Sequence, residues 1–356
     1  MPELPEVETI RLGLSKVILN KKITDFEKRD VKVVQLEPKD IEGYQITKIE
    51  RQAKILIFHL LHHVISTEME KSSDKRSLDS ARDDKILLVH LKMTGQLIWE
   101  ADPGVTAFEL KKRRSTTLTA VTQRVTGGHP SPDWVAKLPN AYTRAILHFD
   151  DGSVLFFNDL RRFGYMKMYD LSVISNGSEK SHGRKDLSPP SPTANGGFGM
   201  ARDDISKIPE LAKLGPEPFS KDFTAEYLMR RASKIPNRKI KQFITDQEII
   251  SGVGNIYVDE ALFYAKISPL RPVREIKLSE WKKTRDSVIK ALEMGLKFGG
   301  SSEDTYVDAF GNQGEMNKHT NVYRHTGADC PDSCGGTIKR VTLGGRGTHF
   351  CPGCQK

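Results

Sequence analysis

The sequence predicts an α+β protein: an N-terminal β-sandwich flanked by helices, then a helical domain, then a short cysteine-bearing hairpin. Three observations predict it. The first half carries short alternating or apolar runs joined by turn signals, which favours antiparallel sheets over alternating βαβ units. After Leu214 the apolar spacing becomes helical. Four cysteines in two close pairs stand near the C-terminus.

The elements follow in order. Val7, Ile10, Leu14 and Val17-Ile18 recur at helical spacing. Residues 46–58 alternate and then turn apolar, as one half-buried strand would. Strands are also expected at 85–91, 145–149 and 154–157, the last two joined by Asp150-Asp151-Gly152. Helical periodicity marks 223–232, 238–245, 257–265 and 279–298, and strand-like pieces return from about Asn321. Three stretches, 67–84, 101–139 and 172–202, are polar or rich in Ser, Pro, Asn and Gly. They hold too little apolar surface to order themselves, so flexible surface loops are expected. The basic run 111–114 could touch phosphate or form a solvated cluster. Domains are expected at 1–210, 211–320 and 321–356.

The 356 residues suffice for a sizeable core, and 55 Lys+Arg against 46 Asp+Glu give a formal charge of +9. This balance favours a polyanionic partner, either nucleic acid or an anionic membrane surface. No apolar run approaches the ~20 residues of a membrane span, and the acidic start is unlike a signal peptide. A cytoplasmic protein is therefore expected, in which disulfides are disfavoured.

The opening octet is Met1-Pro2-Glu3-Leu4-Pro5-Glu6-Val7-Glu8. Once the methionine is removed, Pro2 presents a secondary α-amine, and roughly a third of an α-amine is neutral at about pH 7.5. Such an amine can attack carbonyl-like carbon and form an iminium, with Glu3 beside it to move protons. The same octet also reads as a helix entrance, with proline in the first turn and Glu6 and Glu8 favourable to the dipole. Both readings can hold together.

Cys330 and Cys334 have three residues between them, Cys351 and Cys354 two, and sixteen separate the pairs. Two knuckles around a glycine-rich hairpin suit one tetrahedral, structural zinc ion. Two local disulfides are the alternative. Arg340 and Arg346 lie between the knuckles, where they are either phosphate contacts or ordinary exposed arginines.

Other segments carry two readings each. Asp159-Leu160-Arg161-Arg162-Phe163-Gly164 could be a DNA probe, an arginine reading a base edge while a ring wedges into a step. It could equally be a β-turn with a half-buried phenylalanine. Lys54 sits where its strand turns apolar, and an isolated lysine there could simply snorkel. Gly252-Val253-Gly254-Asn255, between helices, could present amides to a phosphate, although many helix corners share Gly-x-Gly.

Taken in order, these segments resemble the formamidopyrimidine-DNA glycosylase family, bifunctional repair enzymes that excise oxidised purines and then cut the strand. The octet resembles the family's start. Asp159 to Gly164 resembles its Asp-Pro-Arg-Arg-Phe-Gly, with Leu160 for the proline. His90-Leu91-Lys92-Met93-Thr94-Gly95 resembles a second wedge segment, and residues 241–260 its helix-two-turn-helix element. The cysteines resemble its zinc hairpin, whose first spacing is two residues rather than three.

The resemblance implies that Pro2 is the nucleophile, Glu3 a proton-transfer group at the sugar, and Lys54 a cation in the catalytic centre. Met93, Arg161 and Phe163 would fill the space left by a flipped nucleotide. His90 and Asn255 would contact phosphate, with core packing and a satisfied strand histidine as the alternatives for Met93 and His90. Lys241 and Glu260 match further functional positions, Lys241 as a DNA contact, Arg346 would reach DNA, and residues 301–316 are the candidate base-reading segment. The implied partner is double-stranded DNA with a damaged base or abasic site, bound by a monomer holding one structural zinc. Two other functions remain open: an endonuclease VIII-like enzyme for oxidised pyrimidines, and a non-catalytic zinc protein that binds nucleic acid. The latter leaves Pro2 and Glu3 without a role.

Overall fold

The computed structural model describes residues 2–62, 83–101, 124–127, 138–171, 205–301 and 314–356. Helix α1 (Leu4–Ser15) opens the chain. Among the described residues ten strands follow: β1 (Ile23–Lys28), β2 (Val34–Gln35), β3 (Gln45–Gln52), β4 (Ile55–His62), β5 (Asp83–His90), β6 (Gly95–Glu100), β7 (Arg124–Gly127), β8 (Thr143–Phe149), β9 (Val154–Asp159) and β10 (Tyr165–Asp170). They form two five-stranded sheets, in the orders β1-β8-β9-β6-β7 and β2-β10-β5-β4-β3. Every pairing is antiparallel except β2 with β10.

The sheets face each other across one core. Phe26, Leu97, Leu147 and Phe157 meet Ile49, Leu56, Phe58 and Val89 there, and Val7, Ile10 and Leu14 of α1 join them. The apolar run of β4 is explained by burial on both faces. Leu56, Phe58 and Leu60 enter the sandwich core, while Ile55 and Ile57 turn outward. There they meet Ile208 and Leu211 around the short helix α2 (Pro209–Ala212).

The single strand expected over 46–58 is instead a hairpin. Gln52 pairs with Ile55 across the two-residue turn Ala53-Lys54, and Ala53 has φ +55°. The first central position of such a turn favours glycine, and a side chain there costs roughly 1–2 kcal/mol. No Gly or Asn marks the turn, and partners distant in sequence hold it. Lys54 therefore stands at a hairpin tip, not within a strand.

Two of the stretches expected to be loops contain ordered strand. β5 begins at Asp83, and β7 adds to the edge of the first sheet through Leu97↔Gly127 to Glu100↔Arg124. An edge strand is held by backbone bonds alone, so the polar composition did not forbid it. The rest of 67–84 and 101–139, except 101 and 138–139, lies outside the described residues. So do all of 172–202 and most of 301–316.

The second half contains α3 (Ala225–Ala232), α4 (Ile240–Ile244), α5 (Asn255–Ala265) and α6 (Leu278–Lys297). Their core holds Phe223, Leu228, Phe243, Tyr257, Leu262, Trp281 and Leu292, together with Leu4 from α1. Each fully buried side chain of this kind stabilises by roughly 1.5–3 kcal/mol. The hairpin β11 (Lys339–Leu343) and β12 (Arg346–Phe350) ends the fold. Phe263 of α5 packs against Val322, Ile338 and two cysteines beneath it.

Candidate active site and nucleic-acid interface

The seam between the two halves is built around the N-terminus. Leu4 N–H donates to Gly252 O at 3.0 Å, and Pro2 and Glu3 are buried. Glu3 precedes α1, and its N–H donates to Glu6 Oε2 at 2.9 Å. Its own carboxylate crosses the seam, where Oε1 accepts from Ile256 N–H at the start of α5, 3.1 Å away. An anion at a helix N-terminus is favoured by the orphan amides and the dipole. The other oxygen, Oε2, is buried and without a hydrogen-bond partner among the described residues. Burial pushes the Glu3 carboxyl up to about 7, against the pull of Lys54 and with help from Glu6.

Lys54, at the hairpin tip, acts on this carboxyl through its charge. It is buried, and Nζ donates to Val253 O at 3.0 Å. Burial brings its ammonium down to about 8; Glu3 opposes the fall and the charge of Arg346 adds to it. One buried acid and one buried cation thus titrate near neutrality beside Pro2. Such matched groups serve proton transfer and charge stabilisation.

Gly252, Val253 and Gly254 serve this centre as a buttress. A Cβ on Gly254 would stand 2.2 Å from the Glu3 carboxyl carbon, and one on Gly252, at φ +87°, would meet Leu4 at 2.7 Å. The glycines therefore let the loop close on the N-terminus. Asn255 begins α5, and its buried Oδ1 also lacks a partner among the described residues.

Sequence reasoning missed Glu6, which it read only as a dipole residue. Glu6 is buried and accepts from Glu3 N–H, Tyr257 O–H at 2.6 Å and Ser301 N–H at 2.7 Å. It also lies against Gly300, where a Cβ would stand 2.9 Å away. Its signal was present in the spacing Glu3-x-x-Glu6, a helix-capping pair.

The wedge candidates come together at an exposed tip. Met93 is 42% and Phe163 49% exposed. Arg161 lies between them, with Nη1 3.3 Å from Met93 Sδ and its guanidinium 4.7 Å from the Phe163 ring centre. Both loops are tied to buried Asp159, which accepts from Thr94 Oγ1 and, at 2.7 Å, from Gly164 N–H. Apolar and cationic tips on a rigid mount suit insertion between bases.

His90 is buried, and its Nδ1 accepts from Lys92 N–H at 3.0 Å. Burial and the cations Lys92 and Lys54 hold it well below the usual histidine range. It is therefore neutral, with its proton on Nε2 as a donor. Arg346, at the exposed start of β12, is close enough for its charge to bear on both Lys54 and Lys241.

Lys241, expected as a DNA contact, is buried at the foot of the hairpin. Its ammonium is buried in an ion pair with Asp259 Oδ1 at 2.7 Å and donates to Gly347 O at 2.9 Å. It fastens the hairpin to α4 and α5, since its desolvation demands a fixed partner. Glu260 acts alongside, accepting from the amides of Asn321, Val322 and Tyr323 at 2.8–2.9 Å.

The cysteines are unbonded, with Cys330 and Cys354 sulfurs 3.8 Å apart and those of Cys334 and Cys351 3.5 Å apart. All four ligand atoms lie within 4.8 Å of one another. Tetrahedral zinc at about 2.3 Å from each sulfur requires separations of about 3.8 Å, whereas a disulfide requires about 2.05 Å. The set therefore fits one structural zinc. Gly336 and Gly353 face sulfurs at 2.8 and 2.9 Å from a would-be Cβ, and Ser333, at φ +53°, absorbs the extra residue of the first knuckle.

This combination of sandwich, helical domain and cysteine hairpin around a buried N-terminal acid defines a DNA-repair glycosylase architecture. Residues 1–166 match the formamidopyrimidine-DNA glycosylase N-terminal domain, 214–307 the formamidopyrimidine-DNA glycosylase H2TH domain, and 330–356 the zinc finger found in FPG and IleRS. Over 363 residues the chain is 31% identical to the formamidopyrimidine-DNA glycosylase of Streptococcus pneumoniae, covering 100% of this chain and 99% of the relative. It is 34% identical to that of Prochlorococcus marinus, covering 100% of both. A mutant Lactococcus lactis FPG bound to Fapy-dG DNA superposes with a TM-score of 0.69 at 28% identity over 100% of both chains. The Lactococcus lactis complex with abasic-site DNA gives 0.69 at 27% over 99% of each. The chain belongs to the formamidopyrimidine-DNA glycosylase family.

Proposed function

We propose that this chain is a base-excision repair glycosylase and abasic-site lyase acting on oxidised purines, 8-oxoguanine and formamidopyrimidines, in duplex DNA. The observation that carries the reading is the buried Glu3–Lys54 pair beside Pro2, together with membership of the family. The lesion nucleotide turns out of the helix into the seam, at a cost of a few kcal/mol. Met93, Arg161 and Phe163 fill the gap, and His90, Asn255 and Arg346 bind the backbone.

The Pro2 nitrogen lone pair then forms a bond to C1′. The glycosidic bond breaks, its electrons leave with the base, and the nitrogen gives up its proton. Glu3 donates a proton to O4′ as the C1′–O4′ bond opens, leaving a C1′ iminium. The iminium acidifies the C2′ proton, whose loss expels the 3′ phosphate by β-elimination, and δ-elimination can follow. Lys54 steadies the developing negative charge. Splitting one difficult step into two is the gain from covalent catalysis. The zinc, held by Cys330, Cys334, Cys351 and Cys354, stays structural and holds Arg346 in place.

We read the working units as 1–210, 211–320 and 321–356, acting as a monomer. Cytoplasmic, nucleoid-associated work fits the bacterial relatives, and among the described residues no helix is long and apolar enough to cross a membrane. A second reading has one observation in its favour: the wild-type Lactococcus lactis FPG was also solved with oxidised-pyrimidine DNA, at a TM-score of 0.68. Borohydride should trap a covalent complex on 8-oxoguanine duplexes and lose it in Pro2→Gly. A matched panel with oxidised pyrimidines ranks the substrates. Equal trapping by Pro2→Gly would remove the nucleophile assignment.

A further inference from the structure

The turn that presents Lys54 is held from outside its own hairpin. Glu217 lies in the segment between α2 and α3, and its Oε1 accepts from Ala53 N–H at 2.6 Å and from Arg51 Nη1 at 2.6 Å. Its Oε2 accepts from Arg51 Nη2 at 3.1 Å. Arg51 Nη1 also donates to Ala53 O at 2.9 Å, and Nε to Glu8 Oε2 at 3.0 Å. Both polar groups of the left-handed Ala53 peptide are thereby engaged by one bidentate pair.

The Glu217 segment is itself fixed to the loop that receives Lys54. Gly215 N–H donates to Gln247 O at 2.8 Å and Ser251 N–H to Pro216 O at 3.2 Å. Gly215 packs so closely that a Cβ would stand 2.4 Å from Ile249 O. Gln247 then donates through Nε2 to Val253 O at 2.8 Å and accepts from Gly252 N–H at 2.9 Å. Val253 O is the acceptor of Lys54 Nζ. A closed circuit therefore runs from Ala53 through Glu217 and Gln247 to Val253 and back to Lys54.

We propose that Glu217, with Arg51, is a positioning residue for catalysis: it fixes the Ala53 turn and so aims the Lys54 ammonium at the reacting sugar. The inference rests on the glycosylase reading above and names the part of that site which the first half cannot supply alone. Its physical basis is that Ala53 holds a backbone conformation its residue type disfavours. A small displacement of a catalytic group can cost about 100-fold in rate. The pair spans the seam, so an ordinary structural latch is the competing account. That account predicts weaker folding or binding and leaves Lys54 alone.

The test compares wild type, Glu217→Gln and Glu217→Ala, with Lys54→Met as the reference for assigning the Lys54 signal. The amide of Glu217→Gln keeps an acceptor for Ala53 N–H and loses the charge that pairs with Arg51. Single-turnover excision of 8-oxoguanine should fall about tenfold in Glu217→Gln and about 100-fold in Glu217→Ala. The Kd for a tetrahydrofuran-site duplex should stay within about twofold. The ¹³Cε resonance of Lys54 should titrate nearer an ordinary lysine in Glu217→Ala as the turn loosens.

Unchanged Lys54 titration in a folded Glu217→Ala overturns the proposal, as does a loss confined to duplex affinity. If Glu217→Ala does not fold, Glu217→Gln carries the same comparison. Should wild type release no base at all, the glycosylase reading fails instead. The Lys54 titration would then still decide whether Glu217 sets that turn.

Discussion

Lys54 and Glu3 are a buried cation and a buried acid, and after burial itself the charge of each is the strongest influence on the other. Lys54 is the largest influence lowering the Glu3 carboxyl, so Lys54→Met should move that carboxyl above about 7, as read by ¹³C titration of Glu3. In the proposed mechanism Glu3 donates at O4′ as the protonated carboxyl, which is present below about pH 7 and lost as pH rises through that value. Excision should therefore fall on the alkaline side, with its midpoint moved upward in a Lys54 variant that retains measurable activity. Glu6 is the counterpart for stability. Glu6→Ala strands three donors, Glu3 N–H, Tyr257 O–H and Ser301 N–H, at about 1–3 kcal/mol each before relaxation. Urea denaturation should show a loss of about 3–5 kcal/mol.

The wedge loops and the zinc hairpin make opposite predictions. Phe163 and Met93 are half exposed, so Phe163→Ala should leave stability within about 0.5 kcal/mol while excision from duplex DNA slows. Excision from a single-stranded lesion should change much less, since no helix needs wedging open. Removing zinc with a chelator should unfold the hairpin and weaken duplex binding through Arg346, leaving the sandwich melt in place. These elements also show how far sequence reading reaches. The zinc hairpin was legible because two short cysteine spacings fix its ligands locally. The β3–β4 turn was not, because Ala53 is held left-handed by Glu217, distant in the chain. β7 was hidden because an edge strand needs only backbone partners. The burial of Lys241 against Asp259 was not legible because nothing near it in sequence announces it.

Across the whole molecule, the two halves and the hairpin are joined by polar contacts that tolerate few changes. Lys241→Met would leave Asp259 without its principal cation in the interior, a loss of about 3–5 kcal/mol. Chemical denaturation, together with zinc retention by the hairpin, checks this. DNA affinity should fall steeply with salt, with a log–log slope near −0.9 per phosphate contacted on duplex DNA. Arg346→Ala should make that slope shallower by about one unit. The glycine loop between helices was legible as a special backbone site, but its main task, closing on Glu3 and Leu4, depends on a chain end no local pattern reveals.

Leu4 ties the two halves of the molecule together. Its helix completes the sandwich, yet its side chain is packed into the helical half and its amide is bonded there. Prying the two halves apart must break either that packing or the fit of α1 on the sandwich, and it would part Lys54 from the Val253 carbonyl.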